Sequence, residues 1–207
     1  MPKSKKDSKD VINNLVLEQT FVMVKPDGVL RGLIGEVVSR FEKRGLKIIA
    51  MKMVKPSPEH LNDHYPKDKS WIERLGGKGF AVFEEYNLDA KQLMNVKSQI
   101  EAGKQVRKWL IDYMNMAPVV AMVIEGYHAV DVVRKIAGPT LPSKAEVGTI
   151  RGDFSIDSPA AANLAQRAVK NIVHCSETPK EAKHEIAHWF SQEEIFEYDL
   201  PSHSAMF

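Results

Sequence analysis

The chain has 207 residues, of which 43% are hydrophobic and 27% charged, a composition typical of a folded globular protein rather than a disordered one. Its 29 basic and 27 acidic residues nearly balance, whereas a duplex-binding domain would carry a basic excess, and its single cysteine excludes an internal disulfide. Because no apolar run approaches the roughly 20 residues that cross a bilayer, we expect a cytoplasmic protein without nucleic-acid or membrane partners.

Residues 1–17 are predicted to form a solvated, mobile tail. Lysines recur in this segment, but acidic residues interrupt the run, so a solvated terminus is favoured over an arm for nucleic acid. The lysines are Lys3, Lys5, Lys6 and Lys9.

The first half of the chain predicts two strands, each followed by a helix. Residues 20–25 are rich in β-branched and aromatic side chains and run into a Pro-Asp-Gly turn, which indicates a strand. Residues 34–41 place apolar side chains at helical spacing, and Gly45 is positioned to end that helix. A second strand is predicted at 46–54 and a short helix at 59–65.

The second half continues the alternation, with strands predicted at 118–125 and 171–174. Between them lie a helical stripe at 130–136 and a helix that begins at Ser158, where the next residue is proline. Thr178 then opens a Thr-Pro-Lys-Glu capping box before the last helix. This order fits either an α/β layer or a ferredoxin-like α+β sandwich, and periodicity does not choose between them.

An insertion is predicted at about 66–106, where a polar stretch with a weak helical pattern interrupts the alternation. It contains GGKG at 76–79. A phosphate loop of the Walker type would have serine or threonine after the lysine, but Lys78 is followed by Gly79. We therefore interpret GGKG as a glycine-rich turn.

Four side chains are candidates for phosphate contacts. Lys25 lies at the end of the first strand, and Arg151 lies in the constrained sequence TIRGDF, with Arg134 and Thr140 nearby in sequence. A guanidinium group can donate two parallel hydrogen bonds to phosphate oxygens. Each of these residues taken singly is ordinarily a solvated or ion-paired surface group.

A His-Glu-x-x-His pattern at 184–188 predicts a second, different chemistry. Two histidines one helical turn apart, His184 and His188, bind zinc in metalloproteases beside a glutamate base, here Glu185. Ser191 and Glu194 stand where the extended signature has glycine and histidine. The extended signature is thus absent, but the His-Glu-x-x-His pattern itself keeps a zinc hydrolase as the second hypothesis.

The stretch NIVHCSET, residues 171–178, places a histidine beside the chain's one cysteine. His174 ends an apolar run, Asn171 precedes it, and Cys175 and Ser176 follow it at the entry to a capped helix. From these residues alone, His174 is either a histidine of the core or a reactive group.

These motifs together resemble the nucleoside diphosphate kinase family, in the family's own order, over about 20–65 and 107–198. The resemblance implies a ferredoxin-like α+β sandwich with a four-stranded antiparallel sheet, forming a single domain at 18–207 with the insertion at about 66–106. The matching segments are TFVMVKPDGVLRGLIGEVVSRFEKRG, His64-Tyr65, residues 118–126, residues 148–154, and NIVHCSETPKEAKHEIAHWF.

The resemblance also implies a reaction and a site. The terminal phosphate of ATP or another nucleoside triphosphate would move to His174 and then to a nucleoside diphosphate, by a ping-pong mechanism. Magnesium would arrive with the nucleotide, without a metal ligand from the protein. The implied catalytic residues are His174, Lys25, Glu185 and Ser176. The implied nucleotide-binding residues are Lys25, Tyr65, Arg134, Thr140, Arg151 and Asn171.

Other implications concern assembly and the base. Pro142 lies in a loop that supports subunit contacts in the family, so a homo-oligomer is expected. Cys175 stands where the family has glycine. The insertion leaves the base-stacking residue open between Val106, counted back from a later motif, and Trp71, counted forward from Tyr65. A catalytically silent nucleotide-binding relative is the third hypothesis.

Overall fold

The computed structural model describes residues 16–201 and Met206. Four strands form one antiparallel sheet in the order β2-β3-β1-β4, with β1 in its interior. The predicted ferredoxin-like α+β fold with a four-stranded antiparallel sheet is confirmed. The strands are β1 (Leu17–Val24), β2 (Lys47–Val54), β3 (Val119–Tyr127) and β4 (Val173–Cys175).

Helices connect and cover the strands. Residues 1–15 of the predicted tail lie outside the described residues. Strand β1 begins at Leu17, the last residue that was predicted to belong to the tail. The helices are α1 (Pro26–Leu30), α2 (Ile34–Lys43), α3 (Pro58–His64), α4 (Lys69–Glu85), α5 (Ala90–Met94), α6 (Gln99–Met114), α7 (Ala129–Ala137), α8 (Ile150–Phe154), α9 (Pro159–Leu164) and α10 (Pro179–Trp189).

Strand alternation divides the apolar side chains into two cores. Successive side chains of a strand point to opposite faces of the sheet. Phe21 and Met23 of β1 face α3, α4, α6 and α10, whereas Val22 and Val24 face α2, α7 and α8. All four side chains are fully buried, and each such burial contributes roughly 1.5–3 kcal/mol. The sheet is therefore fixed in register by apolar contacts on both of its faces.

The predicted capping signals form, with one difference. Ser158 and Thr178 accept hydrogen bonds from backbone N–H groups in the first turns of α9 and α10. In a capping box the Glu181 carboxylate would accept the N–H of Thr178. It accepts the N–H of Glu177 instead, at 2.6 Å, while Thr178 still caps the helix.

The interpretation of GGKG as a turn is wrong, because residues 76–79 lie inside the long helix α4. A Cβ atom at Gly76 would lie 1.9 Å from the carbonyl oxygen of Gln99, and one at Gly103 would lie 2.0 Å from that of Ile72. Helices α4 and α6 thus cross with their backbones in contact, which only glycine permits. The glycines serve close packing, and local sequence alone does not distinguish this use from a turn.

The insertion is consequently a folded helical layer. Helix α6 begins within the predicted insertion at Gln99 and continues to Met114, which is buried in the core. Helix α9 packs against α4 and α5. None of the described helices is both long and apolar enough to span a membrane.

Replacing Gly103 by alanine is expected to lower the free energy of unfolding by about 1–3 kcal/mol, because the new methyl group would overlap the carbonyl of Ile72. Gly35 is the matched control, since it also lies in a helix but has open space within 4 Å of the point where a Cβ atom would lie. Gly35→Ala should leave stability unchanged or raise it by about 0.5–1 kcal/mol. Urea denaturation of both variants checks this, and equal effects would contradict the close helix crossing.

Candidate active site

The backbone before β4 has an unusual conformation that other groups hold in place. Ile172 has φ +67°, a region that β-branched residues rarely adopt and that costs about 1–3 kcal/mol. The N–H of Ile172 donates to Oδ2 of Asp27 at 3.1 Å, and its carbonyl accepts the backbone N–H of Lys25 at 2.8 Å. The N–H of Val173 donates to the carbonyl of Asn171 at 2.7 Å, which closes a tight turn. This turn positions Asn171 and His174 on either side of it.

Arg151 and Tyr113 hold the turn in place through hydrogen bonds, Arg151 directly and Tyr113 through Asp27. Arg151 donates to the carbonyls of Val173 at 2.7 Å and Asn171 at 3.3 Å, and also to that of Gly138. These bonds use three of its five N–H donors, so two are left for a ligand. Tyr113 donates to Asp27, and burial together with the Asp27 charge raises the pKa of Tyr113. The phenol therefore stays protonated and keeps this contact.

Lys25 lies at the end of β1 with its ammonium group almost wholly buried. Its Nζ donates to Oδ1 of Asn171 at 2.8 Å, and the Asn171 amide donates in turn to the carbonyl of Thr140 at 2.9 Å. Burial and the neighbouring Arg151 lower the pKa of Lys25 to about 8. An anion bound between this lysine and the neighbouring arginine would stabilise the charged form of both side chains.

His174, Glu185 and Ser176 form a hydrogen-bonded chain. Nε2 of His174 lies 2.7 Å from Oε1 of Glu185, and Oγ of Ser176 donates to Oε2 of the same carboxylate at 2.5 Å. Burial alone would raise the pKa of Glu185, but His174, His64 and Ser176 together lower it. Glu185 is thus a carboxylate, which only accepts hydrogen bonds, so the proton of a neutral His174 is on Nε2. The lone pair of Nδ1 is then available.

A second imidazole, His64, packs against the first, a role that the His64-Tyr65 match did not predict. The two rings meet edge to face with centroids 5.3 Å apart. Nδ1 of His64 accepts the indole N–H of Trp189 at 3.3 Å and lies 3.8 Å from Oε1 of Glu185. Burial, with His174 and His188, lowers the pKa of His64 to about 3, so it stays neutral. It restricts the His174 ring without adding a charge.

A cleft of about 460 Å³ lies beside this centre. Arg134, Thr140 and Arg151 line it, together with Cys175. Because neighbouring residues of a strand face opposite sides, the Cys175 thiol faces this cleft while His174 faces Glu185. Burial raises the pKa of Cys175 to about 11, so the thiol is protonated near neutral pH. The cysteine narrows the cleft and is not an activated nucleophile.

The remaining predicted residues lie on the insertion side. Tyr65 ends α3 and meets His64 edge to face with ring centroids 4.9 Å apart. Val106 is half-buried against the core that α6 shares with the sheet, and Trp71 is half-buried on α4. Neither position is selected by this arrangement as the base-stacking residue.

The His-Glu-x-x-His pattern does not form a zinc site in this structure. Glu185 is bonded to His174, and Nε2 of His188 lies 3.1 Å from the carbonyl of His60, on whose ring it stacks. Within residues 16–201, one group of potential ligand atoms converges, and it consists of His64, His174 and Glu185. His184 and His188 are not part of it, so the geometry does not support the hydrolase hypothesis.

Comparison with known proteins agrees with this geometry. The family model described as nucleoside diphosphate kinase matches residues 18–72 and 69–195, two segments that meet where α4 begins. A nucleoside diphosphate kinase of Pyrobaculum aerophilum is 46% identical over 181 residues, which is 87% of this chain and 99% of that relative. One of Pyrococcus furiosus is 41% identical over 88% of each chain.

Solved structures give the same result. A crystal structure of an NDP kinase from Pyrobaculum aerophilum superposes with a TM-score of 0.85 at 45% identity, covering 87% of this chain and all of that one. A transition-state mimic of nucleoside-diphosphate kinase from Borrelia burgdorferi, with bound vanadate and ADP, has a TM-score of 0.74 at 34% identity, covering 92% and 97%. This chain belongs to the nucleoside diphosphate kinase family.

Proposed function

We propose that this nucleoside diphosphate kinase works through a phosphohistidine at His174. Nδ1 attacks the γ-phosphorus of a nucleoside triphosphate, the bond to the bridging oxygen breaks, and a nucleoside diphosphate leaves. A second nucleoside diphosphate then takes the phosphoryl group from Nδ1, which regenerates the free imidazole. The observation that carries the proposal is the 2.7 Å contact between Nε2 of His174 and the buried Glu185, because it leaves Nδ1 as the nucleophile.

The surrounding groups supply positive charge and orientation. Phosphoryl transfer depends mainly on positioning and on stabilising negative charge. We assign phosphate contacts to Lys25, Arg134, Thr140 and Arg151. Asn171 holds the Lys25 ammonium, and its own amide is fixed by Thr140. Tyr65 and Asn171, with the four residues just named, are assigned to the phosphates and ribose. Ser176 and Glu185 are assigned to orient His174.

The donor set of the cleft suits Mg²⁺ that is carried by the nucleotide. Three cationic side chains line the cleft, Arg134, Lys135 and Arg151, against two carboxylates, Asp131 and Glu146. The buried carboxylate of Asp27 is already bonded to Tyr113 and Ile172. Such a site fits phosphate better than a bare cation. We therefore propose no protein ligand for the metal. When bound with the nucleotide, Mg²⁺ would neutralise charge on its phosphates.

Four further elements of the proposal come from the sequence. The base stacks on Val106 or Trp71, the chain folds as a single domain at 18–207, and it acts in the cytoplasm as a homo-oligomer. Pro142, buried at the start of a short 3-10 segment, belongs to the loop proposed to support the subunit contacts. The ADP bound to the Borrelia burgdorferi relative supports only the substrate class.

A phosphoenzyme experiment tests the proposal. The protein is incubated with ATP labelled at the γ-phosphate and assayed for an acid-labile, base-stable label. The wild type and His128→Asn should be labelled, whereas His174→Asn should not. His128 is the matched control, since it is exposed and has φ +52°, which asparagine tolerates.

Addition of an unlabelled nucleoside diphosphate should then remove the label as nucleoside triphosphate. Label that persists in His174→Asn would contradict the assigned nucleophile. Label that forms on His174 but never leaves would favour a catalytically silent relative.

A further inference from the structure

One side chain from α6 holds the end of α3 that carries Tyr65. The guanidinium group of Arg107 donates from Nε to the carbonyl of Pro66 at 3.0 Å. Its terminal Nη2 donates to the carbonyl and to the side-chain Oδ1 of Asn62, both at 2.9 Å, and to the carbonyl of Tyr65 at 3.1 Å. Four acceptors on three residues are thus gathered by a single side chain.

One of these acceptors, the carbonyl of Asn62, belongs to the last turn of α3, and the carbonyls of Tyr65 and Pro66 follow the helix directly. The last carbonyls of a helix have no intrahelical donor, and a cation is favoured at that end. Tyr65 itself is extended, as expected for a residue before proline, and its N–H donates to the helix at the carbonyl of Leu61, at 3.1 Å, whereas its own carbonyl points out of the helix ladder. Arg107 supplies the missing donors, and a rigid guanidinium fork can meet several carbonyls at once.

The same helix also reaches the phosphate side of the site. Tyr113 lies less than two turns beyond Arg107 on α6 and bonds to Asp27, whose other oxygen holds the N–H of Ile172. One rigid element therefore sets Tyr65 at one point and the turn before His174 at another. Its first half packs on the insertion helix α4 through Gly103.

We propose that Arg107 is a positioning residue for nucleotide binding, acting through Tyr65. The inference rests on the proposed function, in which Tyr65 contacts the nucleotide. Without Arg107, the carbonyls of Tyr65 and Pro66 lose this donor, so the Tyr65 ring is held less firmly against His64. Nucleotide binding weakens as a result, while the chain from Glu185 to His174 is left intact because it makes no contact with Arg107.

A double-mutant cycle with Tyr65 tests this inference. Arg107→Met should raise KM for ATP about tenfold and change kcat less than about twofold, because hydrogen bonds that hold Tyr65 are lost while the contacts of His174 are unchanged. In a Tyr65→Phe background the same change should raise KM less than about twofold, because residues that act as a unit are not additive. Arg107→Lys should recover only part of the affinity, since one ammonium cannot span all four acceptors.

Two controls separate positioning from a general loss of structure. Lys108→Met changes the exposed next residue of α6 and should leave KM unchanged. Phosphoramidate, a phosphoryl donor that lacks a nucleoside, should label His174 equally fast in the wild type and in Arg107→Met. An equal KM increase in both backgrounds, or slower phosphoramidate labelling, would overturn the inference. Wild-type protein that takes no label from either donor would overturn the proposed function itself.

Discussion

Replacing Glu185 by glutamine is expected to lower the rate of His174 phosphorylation about 10²–10⁴-fold, with little change in nucleotide KM. The amide can still accept a hydrogen bond from Nε2 of His174, but it carries no charge. Attack by Nδ1 places positive charge on the imidazole ring, and in a site where Glu185 is buried that charge is poorly screened by water. The carboxylate offsets it, and the amide does not.

Glutamine also permits the wrong tautomer of His174. An amide that rotates can present its NH₂ to Nε2, which would leave the proton on Nδ1 and remove the nucleophilic lone pair. In the native chain Ser176 donates to the second carboxylate oxygen and holds the carboxylate in place beside His174. We therefore expect Ser176→Ala alone to have a smaller effect than Glu185→Gln.

Rapid-quench measurement of phosphoenzyme formation checks the Glu185 prediction. Glu193→Gln is the matched control, because Glu193 is exposed on the segment that follows the same helix. It should react at the wild-type rate. A Glu185→Gln enzyme within about threefold of the wild type would show that the contact orients His174 without contributing its charge.

Local patterns in the sequence predicted the frame of the site but not its interior. The strand at 20–25 and the caps at Ser158 and Thr178 depend on neighbours within a few residues, so they could be predicted. The resemblance supplied His174, Glu185 and Ser176, which the structure brings into one hydrogen-bonded chain. Their roles remain a prediction until the variants are measured.

Contacts between distant parts of the chain could not be predicted from the sequence. Tyr113 bonds to Asp27 across 86 positions, and Asn171 meets Lys25 across 146. The residues around Ile172 in the sequence do not predict its positive φ, because that conformation is imposed by the groups that hydrogen-bond to its backbone. Glycine was ambiguous for a related reason. Gly76 suggests a turn until its contact with the backbone of helix α6 is known.

Replacing Lys25 by methionine is expected to weaken nucleotide binding and strengthen the fold. Loss of the ammonium group from the phosphate site should lower kcat/KM about 10²–10³-fold. The same group is buried beside Arg151, and its pKa falls from 10.5 to about 8 because the folded protein disfavours the charged form. At pH 7 this destabilises the native chain, so Lys25→Met should raise the free energy of unfolding by about 1–3 kcal/mol.

The direction of both effects with pH follows from the lowered pKa. Below pH 8 the ammonium is charged in the folded and unfolded chains, and the destabilisation is present in full. As pH rises from 8 towards 10.5, the folded chain loses the proton first and the destabilisation is relieved. Nucleotide phosphates favour the ammonium, so KM should be flat below pH 8 and rise up to about tenfold per pH unit above it.

Lys25 is the group in the site that accounts for such a rise. Burial raises the pKa of Tyr65 above its ordinary value and that of Cys175 to about 11, so neither ionises near pH 8. KM measured from pH 6.5 to 9.5 should therefore lose its upward limb in Lys25→Met and keep it in Lys108→Met. Urea denaturation at pH 7 gives the change in stability. A less stable Lys25→Met protein would show that the buried ammonium does not destabilise the fold. An unaltered upward limb of KM would show that the ammonium does not govern the affinity.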